Sequence, residues 1–234
     1  MMLRQTYERD LGRLQDDLLA LGGMVEEAIT VSVASLKGRD MQASEQVIAQ
    51  DRVINRKRFS IETDVLVLIA TQQPMASDLR VLAAILAISS ELERIGDYAK
   101  GIARINLMIG AEPLVKPLVD IPRMAEKARD MLHRALLAFA ERDTDLARTI
   151  PEEDDEVDDL YNQVYRELIT HILTNPRTLD QANYLMWAAH NLERAADRVT
   201  NICERVIFTV TGEMTEMDHH PDTGLMDRAG ADSG

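Results

Sequence analysis

Glu93 and Asp97 stand four residues apart, and so do Glu193 and Asp197 one hundred positions later. They sit in the matching segments Leu92-Glu93-Arg94-Ile95-Gly96-Asp97 and Leu192-Glu193-Arg194-Ala195-Ala196-Asp197. Residues at i and i+4 share one edge of a helix, so each pair sets two carboxylates side by side. Like charges at that spacing destabilise an isolated helix by about 0.2–0.5 kcal/mol, and by more when crowded. Such pairs call for a positive partner. Oxygen ligation by several carboxylates suits hard cations such as Mg²⁺, Ca²⁺, Mn²⁺ or iron, and matches poorly the thiolate and imidazole sites of structural zinc.

The elements that must carry these acids repeat as well. Helical steps of three and four give Ile85, Ile88, Leu92, Ile95, Ala99 and Ile102 around the first motif, and Leu185, Ala188, Leu192, Ala195, Val199 and Ile202 around the second. Each set is one apolar stripe, with its acid pair one position beyond it. A second match lies upstream. When Ile54 is aligned with Val157, the positions Ile61, Val65 and Leu68 fall opposite Val164, Leu168 and His171, and Asp51 falls opposite Asp154. Four residues on come Asn55 and Asp158. Both acid-bearing helices are therefore duplicated, which points to a doubled domain. The candidate metal ligands are Asp51, Glu93 and Asp97 in the first half, and Asp154, Asp158, Glu193 and Asp197 in the second.

A plainer reading of the same residues stays open. Arg94 and Arg194, with Arg198 and Lys100 nearby, could answer the acidic charge and leave solvated salt-bridge faces. Duplication with inward-facing acids on a second helix brings a shared site level with that reading. The other acids of the run Glu152 to Asp159 follow Pro151 and fit helix-start capping. His133, His171 and His190 are scattered and read as surface or satisfied core residues, and the methionines as ordinary core. Glu216-Met217-Asp218-His219 has Glu-x-x-His spacing but no packed helix to hold it, and His219-His220 invites only adventitious metal.

Composition narrows the class. The 234 residues are 46 % apolar and 4 % aromatic, with twelve Met, a palette for helix-on-helix packing. A net charge of −14 disfavours direct binding to nucleic-acid phosphates. One cysteine, Cys203, leaves no intrachain disulfide and suits a reducing compartment. It reads as a small buried residue. The N-terminus has no apolar signal core, and the longest apolar runs fall far short of the roughly 20 residues that span a bilayer. The expectation is a soluble cytoplasmic protein without membrane insertion. No phosphate loop, nucleophile elbow or Ser/His/Asp order occurs.

The periodicity predicts six helices: about residues 3–37, 41–71, 76–109 and 122–141, a fifth that follows a turn at Asp143-Thr144-Asp145 and extends to about 173, and a sixth over 178–210. Pro74 and Pro176 end the second and fifth, Gly110 caps the third, and Thr178-Leu179-Asp180-Gln181 reads as a capping box. The fold class predicted is all-α, two tandem three-helix bundles, with repeats over residues 1–112 and 113–212 and a disordered tail over 213–234.

Gln73-Pro74-Met75-Ala76-Ser77-Asp78-Leu79-Arg80, followed by the first acidic motif, resembles the signature of the PhoU family. Asn191 with the second motif, and then Thr200-Asn201-Ile202, is similar to that family's second repeat. The resemblance covers about residues 3 to 211. It implies two three-helix bundles related by a pseudo-twofold and a homodimer. It further implies a non-enzymatic cytoplasmic negative regulator of phosphate uptake and of the phosphate-starvation response. The partners it implies are the ATPase subunit of a phosphate ABC transporter and a sensor histidine kinase. Iron or another divalent or trivalent metal (Mg, Mn, Ca or Zn) is implied at Asp51 with Asn55, Glu93 with Asp97, Asp154 with Asp158, and Glu193 with Asp197. Asn55 and Gly101 depart from Asp158 and Asn201 of the second half, so the first site is expected to bind more weakly or stay empty. The competing readings are a metal-free helical scaffold and a carboxylate-bridged metalloenzyme. The latter is disfavoured because no helix supplies Glu-x-x-His.

Overall fold

The computed structural model describes residues 2–217, with side chains from residue 5. Among the described residues there are seven α-helices: α1 Met2–Gly38, α2 Met41–Gln72, α3 Ala76–Ile109, α4 Asp120–Glu141, α5 Thr144–Thr149, α6 Asp154–Thr174 and α7 Leu179–Thr211. Helices α1, α2 and α3 pack as one bundle, and α4, α6 and α7 as a second, while α3 lies along α7 and α1 against α4. One apolar core runs through both. Every residue of the two acid-bearing stripes, from Ile85 to Ile102 and from Leu185 to Ile202, is at most 2 % exposed. Each large aliphatic side chain so buried contributes roughly 1.5–3 kcal/mol over an exposed one. The apolar positions of α1, Leu11 through Ile29, are spent in the same way. That makes α1, the one helix among the described residues long and apolar enough by composition to cross a membrane, a core helix of the bundle.

The predicted fifth helix is broken. Pro151 has no N–H to donate and its ring crowds the carbonyl four residues back. The chain therefore passes from α5 through a 3₁₀ turn, Ile150–Glu153, into α6. Asp154 becomes the first residue of α6, whereas Asp51 lies well inside α2. Helix α4 starts two residues before Pro122, because a first-turn proline gives up no helical bond.

Helix ends follow local chemistry elsewhere. Asp40 caps α2 by accepting from the Ala43 N–H at 2.9 Å, and Asp143 caps α5 by accepting from Asp145 and Leu146. Gly110, at φ 69°, closes α3 with its N–H on the Asn106 carbonyl. The predicted capping box at Thr178 does not form. Its hydroxyl donates instead to the Asn175 carbonyl at 2.7 Å. Gln181 turns away from the helix start to hold the linker, accepting from the Val115 N–H and donating to the Pro113 carbonyl. The α1–α2 turn is tied to the end of α3 by Asn106, whose Nδ2 donates to the Ser35 and Asp40 carbonyls and to Ser44 Oγ.

Beyond α7, residues 213–217 have no regular secondary structure, yet Met217 packs on the core and its N–H donates to Glu204 at 2.9 Å. The rest of the predicted tail, with His219 and His220, lies outside the described residues.

Candidate functional site

Helix α3 runs antiparallel to α7: Glu91 meets Arg198 at 3.4 Å, and ten residues on a Cβ at Gly101 would lie 2.9 Å from Asn191 Nδ2. Each of the two helices then presents its acid pair to the second helix of its own bundle, α3 to α2 and α7 to α6.

In the first repeat, Asp51 is 5 % exposed, Glu93 half-buried and Asp97 exposed. Lys100, one helical turn beyond Asp97, reaches across the seam. Its Nζ lies 2.8 Å from Asp51 Oδ2 and 2.6 Å from Asp97 Oδ1. Asn55 Nδ2 donates to the same Asp51 oxygen at 3.2 Å. Burial works to lower the pKa of the Lys100 ammonium, but its hydrogen bonds to Asp51 and Asp97 outweigh it and the pKa is raised. Burial raises the Glu93 carboxyl, with Asp97 adding to the effect and Arg58 opposing it.

In the second repeat, Asp154, Asp158, Glu193 and Asp197 are all half-buried. Burial raises the Glu193 carboxyl, and Asp197 and Asp158 push it further, against His190. His190 Nδ1 stands 2.9 Å from Glu193 Oε2, and its ring centroid is 5.9 Å from that of Tyr161. Thr200 takes the place that Lys100 has in the first repeat. It is 7 % exposed, and its hydroxyl oxygen is buried without a hydrogen bond. As the side chains stand, no three His, Cys, Asp or Glu residues among those described are gathered closely enough to hold an ion. Rotamer changes on α6 and α7 would have to bring the ligands together. The donor set there, carboxylates with an unused hydroxyl and an adjacent imidazole, fits a hard or borderline cation.

The seven predicted ligands thus fall into two seams, three in the first and four in the second. Sequence reasoning set Lys100 among the nearby counter-charges, although its spacing of three from Asp97 already marked it as an ion-pair partner. His190, three residues before Glu193, carried the same kind of signal and was read as a scattered histidine. Thr200 gave none of its own. Cys203 is fully buried as expected, and burial pushes its thiol up to about 12.

The PhoU domain model matches the sequence twice, over residues 18–105 and 121–206. The chain belongs to the PhoU family. It is 35 % identical over 216 residues to the phosphate-specific transport system accessory protein PhoU homolog of Aquifex aeolicus, covering 92 % of this chain and 98 % of that one. The Caulobacter vibrioides homolog of the same description is 36 % identical over 210 residues, 89 % of this chain and 91 % of its own. Among solved structures, PhoU from Pseudomonas aeruginosa superposes with a TM-score of 0.84 at 34 % identity, covering 88 % of this chain and all of that one, 100 %. The phosphate transport system regulatory protein PhoU from Streptococcus pneumoniae gives 0.83 at 29 % identity, over 89 % and 99 %. Two bundles of long helices are thus the family's architecture as well as this chain's.

Proposed function

We propose that this protein is a cytoplasmic, non-enzymatic regulator of phosphate uptake and of the phosphate-starvation response. It couples the ATPase subunit of a phosphate ABC transporter to a sensor histidine kinase and keeps the response off when phosphate is plentiful. The observation that carries the reading is family membership over both repeats, joined to relatives whose names place them in the phosphate-specific transport system. The acidic helix faces suit docking onto basic partner surfaces, and the working form is a homodimer.

Metal enters as a modulating element. Glu193, Asp197, Asp154 and Asp158 would hold it in the second repeat; Asp51, Glu93 and Asp97 are the matching residues of the first. A bound cation would neutralise the carboxylates and link α6 to α7. In phosphate-replete medium, deletion of the gene should switch on a phosphate-starvation reporter, and restoring it should silence the reporter. The tagged protein should also co-purify with the transporter ATPase or the kinase. A reporter that stays silent after deletion, together with no co-purification of either partner, would overturn the proposal.

A further inference from the structure

The first acidic seam already contains a cation. Lys100 Nζ is within hydrogen-bonding reach of Asp51 on α2 and Asp97 on α3, so one ammonium joins the two helices through the carboxylates that a metal would have to bridge. The lysine side chain is only 18 % exposed, so it has little open solvent to retreat into. A divalent ion placed against the same oxygens would sit a few ångströms from a fixed positive charge, in surroundings that screen it less than bulk water does. Asn55 adds a neutral amide where the second repeat has Asp158, and its Nδ2 already donates to Asp51. Of the two Asp51 oxygens only Oδ1 is left over, buried without a hydrogen bond, too little by itself to hold an ion. In the second repeat the equivalent of Lys100 is Thr200, with a buried hydroxyl that makes no hydrogen bond.

We infer that Lys100 is a resident counter-ion that closes the first acidic site to metal, leaving metal binding to the second repeat. The second clause rests on the reading of Glu193 and Asp197 as ligands; the first stands on the Lys100 geometry alone. Asp51 and Asp97 then keep a counter-charge whatever the metal supply, and only the α6–α7 seam responds to it.

Metal-stripped protein titrated with Mn²⁺ alone, with the free ion followed by electron paramagnetic resonance, tests this. Lys100→Thr should bind more Mn²⁺ than the parent, through a new site whose apparent affinity rises by at least about a hundredfold. Adding Asp51→Asn to that variant should erase the gain, and Lys100→Arg, which keeps the charge, should show none. The inference is overturned if Lys100→Thr takes up no more Mn²⁺ than the parent, or if Asp51→Asn alone removes Mn²⁺ from the parent. Circular dichroism verifies that the variants are folded. Should Lys100→Thr not fold, Lys100→Gln, which keeps a donor near Asp51, replaces it in the same comparison. Glu193→Gln with Asp197→Asn in the parent decides the second-repeat reading separately. If that variant keeps its Mn²⁺, the ligand assignment fails, while the gain in Lys100→Thr still decides the role of Lys100.

Discussion

At the same point in the two repeats stand Lys100 and Thr200, and the acidic seams around them balance charge by different means. Asp51 lies deep within α2, far from either helix end, and is met by an ammonium. Asp154 opens α6, where the helix N-terminus carries partial positive charge and needs no side-chain cation to receive a carboxylate. The break at Pro151 creates that difference, because an unbroken helix would have left Asp154 as interior as Asp51. The apolar stripes kept their phase after duplication because a shifted stripe would expose the core. The polar positions beside them are under no such constraint and differ between the repeats, as Lys100 and Thr200 do.

The contrast can be tested on metal-free protein, beginning with its largest consequence. Lys100→Met leaves a nearly buried carboxylate without its cation, and urea unfolding should show a loss of about 3 kcal/mol. A loss below roughly 1 kcal/mol would mean that the pair behaves like a surface salt bridge, and the contrast would vanish. Thr200→Val should have the opposite sign. Replacing a buried hydroxyl that has no hydrogen bond by a methyl group should stabilise by up to about 1 kcal/mol in the same measurement. A loss of that size instead would show that the hydroxyl has an unseen partner.

The smallest effect concerns Cys203, which stands where the first repeat has Ala103. Its folded thiol is held up to about 12 while the unfolded one titrates near its ordinary value. Between those values the unfolded chain releases the proton first, so this contribution is constant below pH 8 and lost as pH rises. At pH 9 the loss should amount to about 0.8 kcal/mol. Cys203→Ala should flatten the stability profile there relative to the parent.

Much of this was legible in residue order. Positions from Ile85 to Ile102 and from Leu185 to Ile202 lie in the core because a helix buries one stripe, and steps of three and four identify it. Pro74, Pro176 and Gly110 marked helix ends because their backbone chemistry is local. Interactions between distant segments were not legible. Gln181 looked like part of a capping box, yet linker backbone groups brought close by the fold compete for the same amide. Thr178 found a nearer acceptor in Asn175. Pro151 was read as a helix start within a longer element, whereas it divides α5 from α6. The acid pairs were found by spacing, but Lys100 joining α3 to α2 depends on the distance between two helices, which one-dimensional periodicity does not contain.

The antiparallel run of α3 along α7 has a mechanical corollary. At 1.5 Å per residue, these helices of 34 and 33 residues are stiff struts about 50 Å long. A pivot of one degree near their midpoint moves the tips by roughly 0.4 Å. Any event that draws α6 toward α7 would therefore be felt at the far extremities of the molecule, where a bound protein could sense it without touching the carboxylates.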